Sequence, residues 1–152
     1  MKKLKRRTKI IGLVLMLILA AYISYTSLYR YDKEKAARYI RTHHLEKSHT
    51  CCAWYVMRAM QSGGCPIGIL PAWAYKYALP IYGFEEVSKE SYKPELGDIV
   101  VFKAVKNHPW GHIAMYDGDS WISDFKQRNM YVYSQHNGYD LFRIKPTREK
   151  KK

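Results

Sequence analysis

The hydrophobic pattern begins with a long uncharged segment behind a positively charged N-terminus. Residues 2–9 hold six Lys or Arg, and residues 10–29 contain no charged residue. A helix of that length rises about 30 Å, the thickness of the hydrocarbon core of a bilayer. The pattern predicts a transmembrane signal anchor over residues 10–29, with the N-terminus in the cytoplasm and the remaining chain outside. A cleaved signal peptide is the alternative, although the bulky residues Leu19 and Tyr22 flank the small pair between them.

Helical spacing of apolar residues dominates the part of the chain that follows. The predicted helices are residues 31–45, 52–60 and 72–79. Asp32 is placed to cap the first helix, and Ser48 or Thr50 can cap the second. The second helix is expected to stop at Ser62-Gly63-Gly64 and the third at Pro80.

The pattern changes to short β-rich runs after residue 93. The predicted strands are residues 99–102, 112–116, 120–125, 130–133 and 141–144. Asn137-Gly138 is a hairpin signal, and residues 82–93 resemble a polar loop. Helices followed by strands indicate an α+β domain, with N-terminal helices packed on an antiparallel sheet. The predicted organisation is a basic lead, a membrane helix, one folded domain and a basic tail, over residues 1–9, 10–29, 31–145 and 146–152.

Charge alone suggests a nucleic-acid-binding protein, but its distribution argues against one. The formal net charge is +13, yet residues 10–142 carry 14 basic and 12 acidic residues, a net charge of +2. The excess therefore lies in the two tails, which are usually solvated or drawn to anionic lipid. No zinc-finger spacing, phosphate-loop glycine pattern or basic stripe interleaved with aromatic residues occurs. We expect no nucleic-acid partner.

Two adjacent cysteines, Cys51 and Cys52, lie where the second helix should begin. A thiol in a first helical turn faces unpaired N–H groups and the positive end of the helix dipole, and both favour the nucleophilic thiolate. Free cysteines are also commonly small buried hydrophobic residues, and this stretch alone does not separate the two interpretations.

A base and an orienting group for such a nucleophile can be found on the predicted strands. If residues 117–119 form a three-residue turn, His112 lies directly opposite Asp124, and opposite residues share one face of a sheet. A two-residue turn would place Asp124 on the other face. If Asp124 acts independently of His112, Asn129 or Gln127 is the alternative for the residue that orients His112.

The other cysteine and histidine residues suggest two further possibilities. Export to an oxidising compartment would permit a disulfide between Cys51 and Cys65. His43, His44 and His49 lie near the cysteines, but their spacing matches no standard zinc pattern, so we expect no metal and no cofactor.

Three motifs resemble those of CHAP domains, the cysteine, histidine-dependent amidohydrolases/peptidases. Residues 52–56 match the Cys-x-Trp-Tyr-Val start of a helix, and residues 94–102 resemble the Pro-x-x-Gly-Asp-hydrophobic strand of CHAP and NlpC-type peptidases. Residues 111–114, Gly-His-Ile-Ala, resemble the Gly-His-Val-Ala strand. The resemblance covers about residues 35–145. Type VI secretion amidase effectors and phage endolysins share this superfamily.

The resemblance implies a papain-like fold and cleavage of amide bonds in peptidoglycan. By position it makes Cys52 the nucleophile, rather than Cys51, and His112 the base. The family usually has Gln just before the nucleophile, where this chain has Cys51, so the backbone N–H of Cys52 would supply more of the oxyanion stabilisation. The third residue of the family usually comes later than residue 124 and is often Glu or Asn. Asp124 is the candidate here from the strand register.

The expected function is hydrolysis of a peptidoglycan amide bond by Cys52, His112 and Asp124, outside the cytoplasm and next to the membrane. Trp54, Trp110 and Tyr116 are the candidate substrate-binding residues, although Trp54 fits a core position equally well. A membrane-anchored binding or scaffold protein that has kept the fold without activity is the alternative. Neither the bond cleaved nor the oligomeric state can be determined from the sequence.

Overall fold

The computed structural model describes residues 2–133 and 138–151 and, within the first helix, the side chains of residue 7 and residues 9–24. The helices are α1 (Lys2–Leu28), α2 (Lys33–His43), α3 (Cys52–Ser62) and α4 (Tyr75–Ala78), with short 3₁₀ segments at Ala72–Ala74 and Leu79–Tyr82. The strands are β1 (Phe84–Glu86), β2 (Ile99–Phe102), β3 (His112–Tyr116), β4 (Trp121–Ile122) and β5 (Tyr139–Ile144). Helices precede an antiparallel sheet, as predicted.

Helix α1 contains the segment for which a membrane anchor was predicted. No helix formed by the described residues is long and apolar enough to cross a membrane. The predicted transmembrane helix over residues 10–29, and with it the predicted membrane attachment, is therefore not supported.

Helices α2 and α3 pack against each other and carry one side of the core. Asp32 caps α2 as predicted, because its side chain accepts a hydrogen bond from the Lys35 N–H at 2.9 Å. Gly63 ends α3 at a point where a Cβ atom would lie 2.7 Å from the carbonyl oxygen of Asp32. The absence of a side chain at residue 63 therefore lets the end of α3 approach the start of α2.

The five strands form one antiparallel sheet in the order β1-β5-β2-β3-β4. Side chains alternate between its faces, and both faces are covered. Ile99, Val101, Ile113 and Met115 face the helices, and Val100, Phe102 and Ala114 belong to a second apolar cluster on the other face. This double burial explains why β2 is uniformly hydrophobic.

A buried carboxylate joins the start of β2 to β5. Asp98 is 1% exposed and accepts two hydrogen bonds from Arg143 at 2.8 Å. It also accepts hydrogen bonds from the Tyr92 hydroxyl at 2.7 Å and the Glu95 N–H at 2.8 Å. The aspartate of the predicted Gly-Asp-hydrophobic strand thus has a structural role, in which it ties the turn before β2 to a neighbouring strand.

Several predicted β elements differ from the observed ones. Residues 130–133 form no strand, and β4 is two residues long rather than six. Conversely, β1 lies in the predicted loop 82–93, where it pairs with β5 at the sheet edge. In the predicted hairpin at residues 137–138, Asn137 lies outside the described residues, and Gly138 has a positive φ of 101°.

The predicted disulfide between Cys51 and Cys65 does not form, because both residues are free cysteines. They lie beyond opposite ends of α3, whose 11 residues rise about 16 Å. A disulfide requires Cα atoms about 5.5–6 Å apart. Cys51 is exposed to solvent, whereas Cys65 is fully buried in the core beside Tyr29.

Candidate active site

The start of α3 brings Cys52 to the edge of a cleft. Cys51 occupies the N-cap position, although its side chain makes no capping hydrogen bond, so the predicted caps Ser48 and Thr50 are wrong. The carbonyl of Cys51 accepts hydrogen bonds from the N–H groups of Trp54 and Tyr55. Cys52 is therefore the first helical residue, as the apolar spacing predicted.

The start of β3 brings His112 to the same cleft. Gly111 precedes it with a φ of +69°, and a Cβ atom at this position would collide with the carbonyl oxygen of Phe102. The preceding carbonyl, that of Trp110, accepts a hydrogen bond from the Trp73 N–H at 3.1 Å. These two contacts fix the backbone of residues 110 and 111 against β2 and the 3₁₀ segment Ala72–Ala74. They thereby set the position at which β3 begins with His112.

The cleft has a volume of about 630 Å³ and contains all three residues of the predicted catalytic group. It is lined by Cys52, His112 and Asp124, by Ser48 and Thr50, by Leu70, Pro71 and Trp110, and by Phe125, Val132 and Tyr133, among others. The contacts of the described residues include no hydrogen bond between the Cys52 thiol and His112. Catalytic hydrogen bonds are often long before substrate binds.

His112 is buried, and one of its ring nitrogens is held by Gln127. His112 Nε2 lies 2.6 Å from Gln127 Nε2, and the rings of His112 and Tyr133 make a T-shaped contact at a centroid distance of 5.7 Å. Burial lowers the pKa of His112 to about 4, although the negative charge of Asp124 opposes this shift. The imidazole is therefore neutral at physiological pH.

Gln127 reaches His112 because the chain folds back sharply after β4. Ile122 pairs with Lys126, and the Gln127 N–H donates to the carbonyl of Trp121 at 2.9 Å. Within the described part of the chain, Gln127 Oε1 is buried and has no hydrogen-bond partner. From sequence, Gln127 was an alternative to Asp124. The tight bend that brings its amide to His112 could not be recognised from local patterns.

The register that placed Asp124 opposite His112 is wrong. Tyr116 pairs with Trp121, so the turn comprises residues 117–120 rather than 117–119. This extra residue shifts the pairing by one position and would place Asp124 opposite Ile113, on the other face. Asp124 nevertheless enters the cleft because β4 ends before it. Its carboxylate accepts hydrogen bonds from the backbone of the loop before Cys52.

Cys52 is also uncharged at rest. Burial raises the pKa of its thiol, the backbone N–H groups of Ile113 and Ala53 oppose the shift, and the negative charge of Asp124 adds to it. The helix start was expected to favour thiolate, but the loss of solvent outweighs the effect of nearby N–H groups. The resting site therefore holds a neutral thiol and a neutral imidazole.

The arrangement of a helix-start cysteine, a strand-start histidine and a shared cleft agrees with the family comparison. A model of the CHAP domain matches residues 45–136, which include Cys52, His112 and Gln127. The chain belongs to the CHAP family. The predicted enzyme class, a cysteine amidohydrolase acting on peptidoglycan, is confirmed, and so are the α+β fold and the resemblance on which the prediction rested.

Solved structures similar to this CHAP domain come from a type VI effector–immunity complex. One chain of the native effector–immunity complex Tae3–Tai3 from Ralstonia pickettii is 33% identical with a TM-score of 0.69, and the match covers 76% of this chain and 100% of that one. A chain of the selenomethionine form of the same complex is 33% identical with a TM-score of 0.65, covering 71% and 98%. A search of curated proteins gave no significant match.

The three predicted substrate-binding residues of this CHAP domain have different positions. Trp110 lines the cleft and is 67% exposed. Trp54 is 47% exposed and lies beneath the guanidinium of Arg58, 5.8 Å from its ring centroid, but it is not among the cleft-lining residues. Tyr116 is not among the cleft-lining residues, because its ring packs against Trp121 on the sheet face that points away from the helices.

Sequence reasoning missed Tyr133 as a residue of the CHAP cleft, because residues 130–133 were predicted to form a strand. The Tyr133 ring stacks on His108 at a centroid distance of 3.9 Å, and both residues line the cleft. Burial raises the pKa of Tyr133 to about 12, so the phenol remains protonated. Among the described residues, no group of three His, Cys, Asp or Glu side chains could hold a metal ion.

Proposed function

We propose that this CHAP domain hydrolyses an amide bond of peptidoglycan with Cys52 as nucleophile, His112 as general base and acid, and Gln127 as the residue that orients the imidazole. The observation that carries the proposal is the convergence of Cys52 and His112 on one cleft, in which the side-chain amide of Gln127 forms a hydrogen bond with His112 Nε2. The catalytic unit spans residues 31–145, and it acts outside the cytoplasm, where peptidoglycan lies.

The reaction starts from the neutral pair. As Cys52 Sγ attacks the amide carbonyl carbon, His112 Nδ1 takes the thiol proton. The electron pair of the carbonyl π bond moves to the oxygen, which becomes an oxyanion. Collapse of the tetrahedral intermediate breaks the C–N bond, and the imidazolium gives its proton to the departing amine. Water then attacks the thioester with His112 as base. The products are a carboxylic acid and an amine, and the Cys52 thiol is restored.

Orientation of the Gln127 amide decides which nitrogen of His112 can act as base. If Gln127 Nε2 donates to His112 Nε2, the neutral imidazole must carry its proton on Nδ1 and cannot accept one there. If the amide is turned by 180°, Oε1 accepts from the Nε2–H of His112 and gains the partner that it otherwise lacks. We therefore assign Oε1 to this contact, which leaves the lone pair of Nδ1 for the thiol proton.

Oxyanion stabilisation falls to the start of α3. The family's usual Gln is replaced by Cys51, whose side chain is exposed and whose N–H donates to Asp124 at 3.2 Å. The N–H of Cys52, the first residue of α3, remains as a donor aimed at developing negative charge near the nucleophile.

The test is mass spectrometry of peptidoglycan fragments after incubation with the purified full chain. Release of intact stem peptides would identify an amidase, and shortened or uncrosslinked peptides an endopeptidase. Cys52→Ala should lower the rate by more than about 10³-fold because it removes the nucleophile, while its circular dichroism spectrum stays that of the wild type.

Cys51→Ala is the matched control and should keep substantial activity. If Cys51→Ala is inactive and Cys52→Ala is active, the assignment of the nucleophile is wrong. If the folded wild-type chain binds peptidoglycan but releases no fragments, the scaffold alternative replaces the enzymatic proposal.

A further inference from the structure

The loop that leads into Cys52 is attached to a single residue, Asp124, by both backbone and side chain. The carbonyl of Asp124 accepts a hydrogen bond from the Leu45 N–H at 2.7 Å. Its Oδ2 accepts from the His49 N–H at 2.7 Å, from the Cys51 N–H at 3.2 Å and from the Ser48 hydroxyl at 3.2 Å. Four donors of one short segment therefore converge on one residue.

The Asp124 side chain is fully buried and remains charged. Burial by itself raises the pKa of this carboxyl, but the hydrogen bonds from the N–H groups of His49 and Cys51 and from the Ser123 hydroxyl hold the pKa below its usual value. Ser123 donates to Oδ1 at 3.1 Å. Hydrogen bonds to a buried, ionised acceptor are about twice as strong as neutral ones.

The loop makes contacts of its own, in which the Thr50 N–H donates to Ser48 Oγ at 3.3 Å and Cys51 Sγ to the His49 carbonyl at 3.2 Å, but it also contains a residue in an unfavourable backbone conformation. Thr50 lies in the left-handed region with a φ of +60°, a conformation that is unfavourable for a non-glycine residue. Helix α3 also begins without a side-chain cap at Cys51. Asp124 instead accepts the backbone N–H of Cys51, the N-cap residue itself, which is the contact that the N3 side chain makes in a capping box.

We propose that Asp124 is a positioning residue that fixes residues 48–51, and thereby sets both the location of Cys52 and the part of the cleft formed by Ser48 and Thr50. It acts through the loop backbone rather than by orienting His112. Its effect on turnover rests on the proposed function, whereas its effect on loop order does not.

The experiment compares Asp124→Asn with Asp124→Ala in the full chain. Asparagine can place its oxygen where Oδ2 lies and donate its NH₂ group to Ser123, so the loop contacts persist without the charge. Alanine leaves buried N–H donors unpaired. We expect amide hydrogen exchange over residues 46–54 to accelerate more than about 10-fold in Asp124→Ala and less than about 3-fold in Asp124→Asn.

Kinetics with peptidoglycan provide the second measurement. Asp124→Ala should lower kcat/KM by about 100-fold or more, with KM raised because the cleft wall moves, and Asp124→Asn should retain kcat/KM within about 10-fold. Asp117→Ala is the matched control, since Asp117 is also buried and accepts the N–H groups of Asp119 and Ser120. Its substitution should leave exchange over residues 46–54 unchanged.

Two outcomes would overturn the proposal. One is exchange over residues 46–54 that is the same in Asp124→Ala and the wild type. The other is equal loss of kcat in Asp124→Asn and Asp124→Ala with KM unchanged, which would show that the charge acts on His112. If Asp124→Ala does not fold, Asp124→Ser replaces it in both measurements. If the wild type has no activity, the exchange data alone decide the question.

Discussion

At the scale of single residues, the central feature is that Cys52 and His112 rest as a neutral pair. Burial lowers the pKa of His112 to about 4 and raises the pKa of the Cys52 thiol. Under the proposed mechanism, the thiolate therefore forms as the substrate carbonyl is attacked, and a correctly held imidazole matters more than a preformed ion pair. Gln127 is the residue that we expect to hold it.

Gln127 variants test this role through rate and pH dependence. Gln127→Ala should lower kcat by about 10- to 100-fold with little change in KM, because the imidazole loses its orientation but the cleft is intact. Gln127→Glu places a carboxylate beside Nε2–H, which favours imidazolium. The acidic limb of the kcat/KM profile should then move to higher pH from its wild-type position near pH 4.

Asn129→Ala is the control for Gln127, because the Asn129 side chain accepts its hydrogen bond from the Tyr131 N–H. Its kcat should remain within about 3-fold of the wild type. An Asn129→Ala variant as impaired as Gln127→Ala would mean that the orienting residue has been misassigned.

At the scale of elements, the site depends on how β3 begins. Gly111 has a positive φ of 69°. A Cβ atom at this position would collide with the carbonyl oxygen of Phe102 and would lie 3.3 Å from the Trp73 N atom. This close approach lets the segment before His112 pass between β2 and the 3₁₀ segment Ala72–Ala74. A glycine is required here for both conformation and space.

Gly111→Ala should therefore destabilise the protein by about 2–4 kcal/mol, since the added methyl group meets backbone atoms that cannot move aside. Urea denaturation monitored by circular dichroism measures the loss. Gly68→Ala is the control, because nothing lies within 4 Å of a Cβ atom at that position, and its effect should stay below about 1 kcal/mol. Equal effects of the two substitutions would contradict this view of Gly111.

At the scale of the whole molecule, the buried active site makes stability depend on pH. His112 titrates at about pH 4 in the folded protein rather than at its ordinary 6.5, so the unfolded chain binds an additional proton between these values. The free energy of unfolding should consequently fall as pH decreases from 6.5 to 4. Asp124, whose pKa is lowered, contributes stability that is lost only at still lower pH.

The expected loss between pH 6.5 and 4 is about 3 kcal/mol for His112. Chemical denaturation across this range should show a steep slope for the wild type and a shallower slope for His112→Gln. Cys52→Ala changes a residue of the same cleft that does not titrate between pH 4 and 6.5. This variant should therefore keep the wild-type slope. If His112→Gln and the wild type have the same slope, a different group is responsible for the acid sensitivity.

Local sequence by itself determined most of the helices, the central strands and the two residues, Cys52 and His112, that meet in the cleft. Helical spacing starting at Cys52, the β-rich run 99–102 and the Gly-His start of β3 each depend on neighbouring residues, and these were predicted correctly. The motifs around Cys52 and His112 also indicated the CHAP family, which the comparison confirmed.

Only the tertiary structure decided the residues around that pair. The register of β3 and β4 depended on one residue in a turn, and the fold back after Ile122 brought Gln127, rather than Asp124, to His112. Likewise, the ionisation of Cys52 and His112 follows from burial by elements distant in sequence. Spacing along the chain carries no information about such solvent exclusion, because desolvation depends on every atom packed around the group.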